Sequence, residues 1–135
     1  IKNAVTRSDK QVIHPFEDDL SFLYGTIFID NTLQASGYDS RNVCVFAEGE
    51  VDRCPTGSGV SARIAIHLAK GEVALEESIE IESVVGSKFS VKAVEKLKYA
   101  SHLACIPEVS GEAHITGYHT FILEEGDIFK EGFLL

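Results

Sequence analysis

The chain of 135 residues contains no methionine and no tryptophan, and only three cysteines and three prolines. The cysteines, Cys44, Cys54 and Cys105, are odd in number and form no C-x-x-C pair, which argues against both a disulfide framework and a zinc site. A reducing cytosol is the expected compartment. Basic residues are scarce: 12 Lys and Arg stand against 21 Asp and Glu, a formal net charge of −9. A field of that sign disfavours nucleic acid and anionic membrane surfaces as partners. No apolar run approaches the roughly 18 residues of a membrane span, and no signal-peptide pattern opens the chain. A chain that opens on Ile1 and lacks methionine altogether is the expectation for a fragment or processed product. With 44% hydrophobic residues, it can still bury a real core, so residues 1–135 are read as one domain.

What is present centres on one stretch, Asp52-Arg53-Cys54-Pro55-Thr56-Gly57-Ser58-Gly59-Val60-Ser61-Ala62-Arg63. An alternating run with Val43, Val45 and Val51 precedes it, and a helical period follows it to Lys70 and Gly71. Strand, glycine turn and helix in this order leave the first N–H groups of the helix pointing forward. With the positive end of the helix dipole they make a seat for an anion such as a carboxylate. Val60, Ala62, Ile64, Ala65, Ile66, Leu68 and Ala69 go nearly all round the helix, which predicts burial on most sides. Lys70 and Gly71 supply the stop. A P-loop is excluded, since no Gly-Lys-Ser/Thr follows; a dinucleotide fingerprint is only disfavoured, since its third glycine falls on Ala62 and alanine is sometimes tolerated there. On spacing alone, Thr56-Gly57-Ser58-Gly59 reads first as an N-cap and tight turn without a ligand.

Around this element the pattern is mostly strand. Residues 1–19 read as an irregular entry or partial helix, a linker from a missing half. Leu20 to Asp30 read as a strand interrupted at Gly25, Asn31 to Asn42 as a loop, and residues 43–48 as the strand feeding the turn. Ala74 to Glu77 is a turn or short helix, and 78–84 and 88–94 alternate cleanly about Gly86-Ser87, a hairpin. Lys96 to His102 is a polar bend, and residues 102–107 and 113–123 supply two more strands. Residues 124–127 form a turn before an apolar tail. His67, His114 and His119 share no metal-ligand spacing and read as structural; His14, ahead of Pro15, reads as a surface residue. Strands around one long helix make an α+β plan.

The central stretch resembles the second active-site motif of the proline racemase family, which includes proline racemases, hydroxyproline 2-epimerases and trans-3-hydroxy-L-proline dehydratases. The resemblance extends to His14-Pro15, Phe22-Leu23-Tyr24-Gly25-Thr26, Asn42 to Ala47, Gly117 to Phe121 and Glu131 to Leu135. It therefore spans most of the chain, though only the second part of a full-length member. It implies one half of a pseudo-symmetric, diaminopimelate-epimerase-like fold, each half a curved sheet wrapped around a central buried helix. The tail from 124 to 135 is then expected to return to the partner half. Racemases and epimerases carry a cysteine at the place of Thr56, one of two that face each other across the substrate α-carbon. The dehydratases carry threonine. A thiol can be tuned to exchange protons near neutrality, whereas a threonine hydroxyl is far too weak an acid.

By that resemblance Asp52 holds the substrate ring nitrogen, the N–H groups of Gly57 and Ser58 seat its carboxylate, Phe46 packs near its ring, and Thr56 faces the reacting carbons. The remaining catalytic cysteine belongs to a Met-Cys-Gly-His-like motif that these residues do not contain; Cys54 is its only nearby substitute and reads chiefly as a small structural residue. No metal, flavin or pyridoxal phosphate is implied. The expected activity is dehydration of trans-3-hydroxy-L-proline to pyrroline-2-carboxylate in the full-length protein, with this chain inactive alone and a homodimer as its assembly. The alternatives are a hydroxyproline 2-epimerase or proline racemase, and a non-catalytic module that binds small carboxylates.

Overall fold

The structure, a computed structural model, describes residues 1–8, 12–30 and 37–133. A five-residue helix α1 (Lys2–Thr6) and a short 3-10 turn (Asp18–Leu20) precede the sheet. The sheet contains β1 (Gly25–Asp30), β2 (Ser40–Phe46), β3 (Glu50–Val51), β4 (Ile79–Ser83), β5 (Lys88–Tyr99) and β6 (His102–Gly111), with one long helix, α2 (Gly57–Lys70), between β3 and β4. Its order is β1-β2-β4-β5-β6, with β3 paired to the end of β2. Every described pairing is antiparallel except β2 with β4, which run parallel in the register Ser40↔Ile81 to Asn42↔Ser83. The expected α+β class is met as an open, mixed sheet. Among the described residues no helix is long and apolar enough to cross a membrane.

The parallel step decides where a site can form. Antiparallel strands join by a tight turn, but parallel neighbours need a crossover, and α2 supplies it. The chain leaves β2 at Phe46, turns back through Gly49 and pairs again as β3, and the Asp52 N–H then donates to the Cys44 carbonyl at 3.4 Å. Only after that does it enter the helix. The N-terminus of α2 is thereby held beside the carboxyl end of β2, the place where open α/β sheets hold ligands.

The core is small and lies under the other half of the sheet. Val60 and Ile64 of α2 pack with Ile79, Ile81, Val91 and Ala93, all at most 9% exposed. Gly71 ends the helix in the left-handed conformation (φ 72), as the sequence predicts, and its N–H donates to the Leu68 carbonyl. Burial on most sides of α2 is not observed: Ala62, Ile66 and Ala69, spaced along one face, are exposed, Ile66 by 53%. The sheet covers one face only, and the described residues offer nothing to cover the other.

Four strand expectations need correction. β1 begins at Gly25 rather than Leu20, because Phe22 and Tyr24 leave the strand path and form an aromatic chain with Phe46 (ring centroids 6.0 and 5.7 Å apart). The expected loop 31–42 ends early, since β2 starts at Ser40; residues 31–36 of it lie outside the described residues. The polar bend at 96–102 is instead a continuation of β5 to Tyr99 and a tight turn at Ala100 (φ 52), because exposed charged side chains suit a hairpin that projects into solvent. The strand expected at 113–123 is absent: residues 112–123 are irregular, with Ile115, Tyr118 and Phe121 78–90% exposed. An alternating sequence becomes a strand only where a sheet edge receives it. The hairpin at Gly86-Ser87 and the turn at Ala74 to Glu77 form as expected.

Gly25 sits opposite Phe46 in the β1–β2 ladder. A Cβ there would lie 2.8 Å from the Val45 carbonyl oxygen and 2.9 Å from Phe46 Cβ, atoms that cannot swing aside. Gly25→Ala is therefore expected to cost about 1–3 kcal/mol, read as a lowered urea midpoint of the complete protein at unchanged m-value.

Candidate active site

The site follows from the backbone between Asp52 and Val60. Pro55 is fully buried and pins the turn, and Thr56 takes a positive φ of 70°, uncommon for a β-branched residue. The first intrahelical bond runs from the Val60 N–H to the Thr56 carbonyl at 2.9 Å. The N–H groups of Gly57, Ser58 and Gly59 are thus left without intrahelical acceptors. A Cβ added at Gly57 would meet nothing within 4 Å, so the approach to these donors is open.

Thr56 occupies the N-cap position, yet its side chain makes no capping bond. Its Oγ1 donates instead to Asp52 Oδ2 at 2.5 Å. The hydroxyl is turned away from the helix it precedes. Asp52, Thr56 and Ser58 line one open cavity of about 410 Å³, together with Tyr24, Ile27, Cys44, Phe46 and Gly59. Gly57 is exposed at the helix start next to it. The cavity thus combines an aromatic wall, a carboxylate with a hydroxyl bound to it, and a helix N-terminus. Such a set suits a small zwitterion, with the cation on Asp52, the anion on the helix start and the carbon skeleton on Phe46 and Tyr24.

Cys54 lies elsewhere. It lines a different cavity with Ser87, Lys88 and His114, among others, so it does not share the pocket of Thr56. The cysteine that lines that pocket is Cys44, 7% exposed on β2, to which the sequence reading gave no place in the site. His14 is half-buried rather than on the surface; its Nδ1 accepts from the Glu17 N–H at 3.0 Å, and its ring packs against Tyr99.

The sequence also missed the support behind the site. The fully buried residues of β2 are Ser40, Asn42 and Cys44, while Val43 and Val45 face the half-covered side. Asn42 Nδ2 donates to the Pro55 carbonyl at 3.1 Å, and Arg63 Nη2 of α2 donates to Ser40 Oγ at 2.7 Å. Burial pushes the Arg63 guanidinium below the ordinary arginine range. The signal for this seam was the alternation Ser40-x-Asn42-x-Cys44, but a polar alternation reads as a solvent face until a distant partner is known.

The whole of this geometry sits in a chain that matches the proline racemase family model over residues 1–134. The chain belongs to the proline racemase family. Among its relatives, the trans-3-hydroxy-L-proline dehydratase of Colwellia psychrerythraea is 50% identical over 93% of the chain and 35% of that protein. The trans-3-hydroxy-L-proline dehydratase of Homo sapiens is 45% identical over 98% of the chain and 39% of that protein. Among solved structures, a hydroxyproline epimerase from Agrobacterium vitis with bound trans-4-hydroxy-L-proline superposes with a TM-score of 0.79 at 30% identity, covering 99% of this chain and 38% of that one. The chain therefore spans about two fifths of the length of these proline racemase family members.

Proposed function

We propose that the complete protein dehydrates trans-3-hydroxy-L-proline to pyrroline-2-carboxylate, and that this chain supplies the part of the active site built on the start of α2. Thr56 carries the reading: where family racemases and epimerases place a second acid–base cysteine, a hydroxyl lies in the cavity, bonded to Asp52. The names of the dehydratase relatives support the same substrate. In this reading the substrate carboxylate accepts from the N–H groups of Gly57 and Ser58, and the ring ammonium donates to Asp52. Phe46 lies against the ring. With its own proton committed to Asp52, Thr56 Oγ1 offers only lone pairs to the substrate.

Stereochemistry gives this arrangement its consequence. In trans-3-hydroxy-L-proline the hydroxyl and carboxylate lie on opposite faces of the ring, so the α-proton and the hydroxyl share a face. A single cysteine on that face, in a part of the protein outside these residues, removes the α-proton and can return it to the departing hydroxide as water. The C2–C3 double bond that forms is an enamine, which tautomerises to the cyclic imine. Thr56, on the opposite face, cannot deliver a proton to the α-carbon, so inversion has no route. Elimination is what remains.

The chain is then the C-terminal part of a two-domain enzyme, with 1–19 the entry from the first half and 124–135 returning to it. The uncovered face of α2 and the exposed apolar residues of 112–133 support that arrangement. The test uses the full-length protein with trans-3-hydroxy-L-proline in deuterated water, followed by NMR. Cyclic imine without inverted starting material is the expected result. Deuterium at an inverted α-carbon would make the protein an epimerase, and no reaction would leave a carboxylate-binding module.

A further inference from the structure

Thr56 holds a backbone conformation that a β-branched residue adopts only at a cost of order 1–3 kcal/mol, and such a conformation persists only where its surroundings over-determine it. Three contacts surround the Pro55–Thr56 peptide. The Thr56 carbonyl accepts from the Val60 N–H, the Thr56 hydroxyl donates to Asp52, and the Pro55 carbonyl accepts from Asn42 Nδ2. The first is common to any helix start, and the second is the arrangement to be explained. Of these only the third comes from outside the turn, from a residue 13 positions earlier on β2; two further outside contacts, from Ser83 Oγ and Ser87 Oγ, go to the Arg53 carbonyl, two residues before the peptide in question.

Asn42 is well placed to impose it. The side chain is 2% exposed and sits on a strand paired on both sides, with Ile29 of β1 and Ser83 of β4 as its register partners. The acceptor is a peptide oxygen, so the amide must present its NH₂ group there, and its orientation is fixed. A buried donor on a rigid strand, aimed at the peptide just before Thr56, sets the rotation of that peptide plane.

We propose that Asn42 is the positioning residue of this active site: by holding the Pro55 carbonyl it fixes the positive φ of Thr56, and so aims the Thr56 hydroxyl at Asp52 and the N-terminus of α2 at the pocket. The inference rests on the functional reading above for its effect on turnover, but not for its effect on geometry. Asn42 touches no substrate; it acts through Thr56.

The test is a crystal structure and a turnover assay of the full-length Asn42→Leu protein, a change that keeps the branched skeleton of the side chain and removes the donor. Thr56 is expected to leave φ near 70° and its Oγ1 to part from Asp52 Oδ2, while kcat for trans-3-hydroxy-L-proline falls roughly 10- to 100-fold, the scale of a misplacement of about 1 Å. Retention of both the Thr56 conformation and the Thr56–Asp52 bond overturns the proposal, whatever the activity. Loss of that geometry at undiminished turnover upholds the clamp and overturns the role given to Thr56 in the reaction. Asn42→Asp, which has the shape of asparagine and no NH₂ donor, carries the same measurements if the leucine variant does not fold.

Discussion

Asp52→Asn in the full-length protein is expected to lower kcat/KM for trans-3-hydroxy-L-proline about 10²- to 10³-fold, or about 2.7–4 kcal/mol of binding and transition-state stabilisation. The substitution separates two jobs of one carboxylate. The amide oxygen can still accept the Thr56 hydroxyl, so the local bond between positions 52 and 56 survives. The negative charge does not survive, and with it goes the charge-assisted partner of the ring ammonium. In a chain of formal net charge −9 the ammonium meets many acids, but only a carboxylate inside the cavity fixes its position. The loss should fall mainly on KM, with circular dichroism unchanged. Steady-state kinetics decide it: a change below threefold would remove Asp52 from the site.

Thr56→Cys is expected to open the second face of the ring. A thiol at the N-terminus of α2 has its pKa lowered toward neutrality by the helix dipole, whereas the threonine it replaces is silent. A positioned general acid typically contributes 10²- to 10⁴-fold. Inversion at the α-carbon in deuterated water should therefore rise by about that factor over the unsubstituted protein. Elimination should fall, because the carbanion now has a competing fate. Retention of pure dehydration, with no α-deuterated epimer, would show that the residue at 56 does not face the α-carbon. Together the two substitutions distinguish the carboxylate that holds the substrate from the position that decides its fate.

Features whose cause is local were readable in the amino-acid order. The start and stop of α2 were legible because Pro55 and the glycines after it break a strand and because Gly71 accepts a left-handed φ. The hairpin at Gly86 and the clean alternation either side of it left little choice about β4 and β5. Asp52, Thr56 and Ser58 were legible as a group because they lie within seven residues, on one turn, in a motif that resembles a known family; the structure brings all three to one cavity. Features that depend on partners far along the chain were not readable in this way. Alternation in β2 shows that its two faces differ, but not which is covered. Ser40 and Asn42 are buried because Arg63 and the Pro55 carbonyl, 23 and 13 residues away, satisfy them. In the same way the Thr56 hydroxyl had two acceptable uses, and only the path of the chain through β3 put Asp52 within its reach. The helix α2 looked buried all round because apolar residues fill its circumference, but burial also needs something to pack against, and the sheet offers only one face. Residues 113–123 have the pattern of a strand but pair with none of the described strands. Periodicity states what a segment could bury, and the tertiary neighbours decide what it does bury.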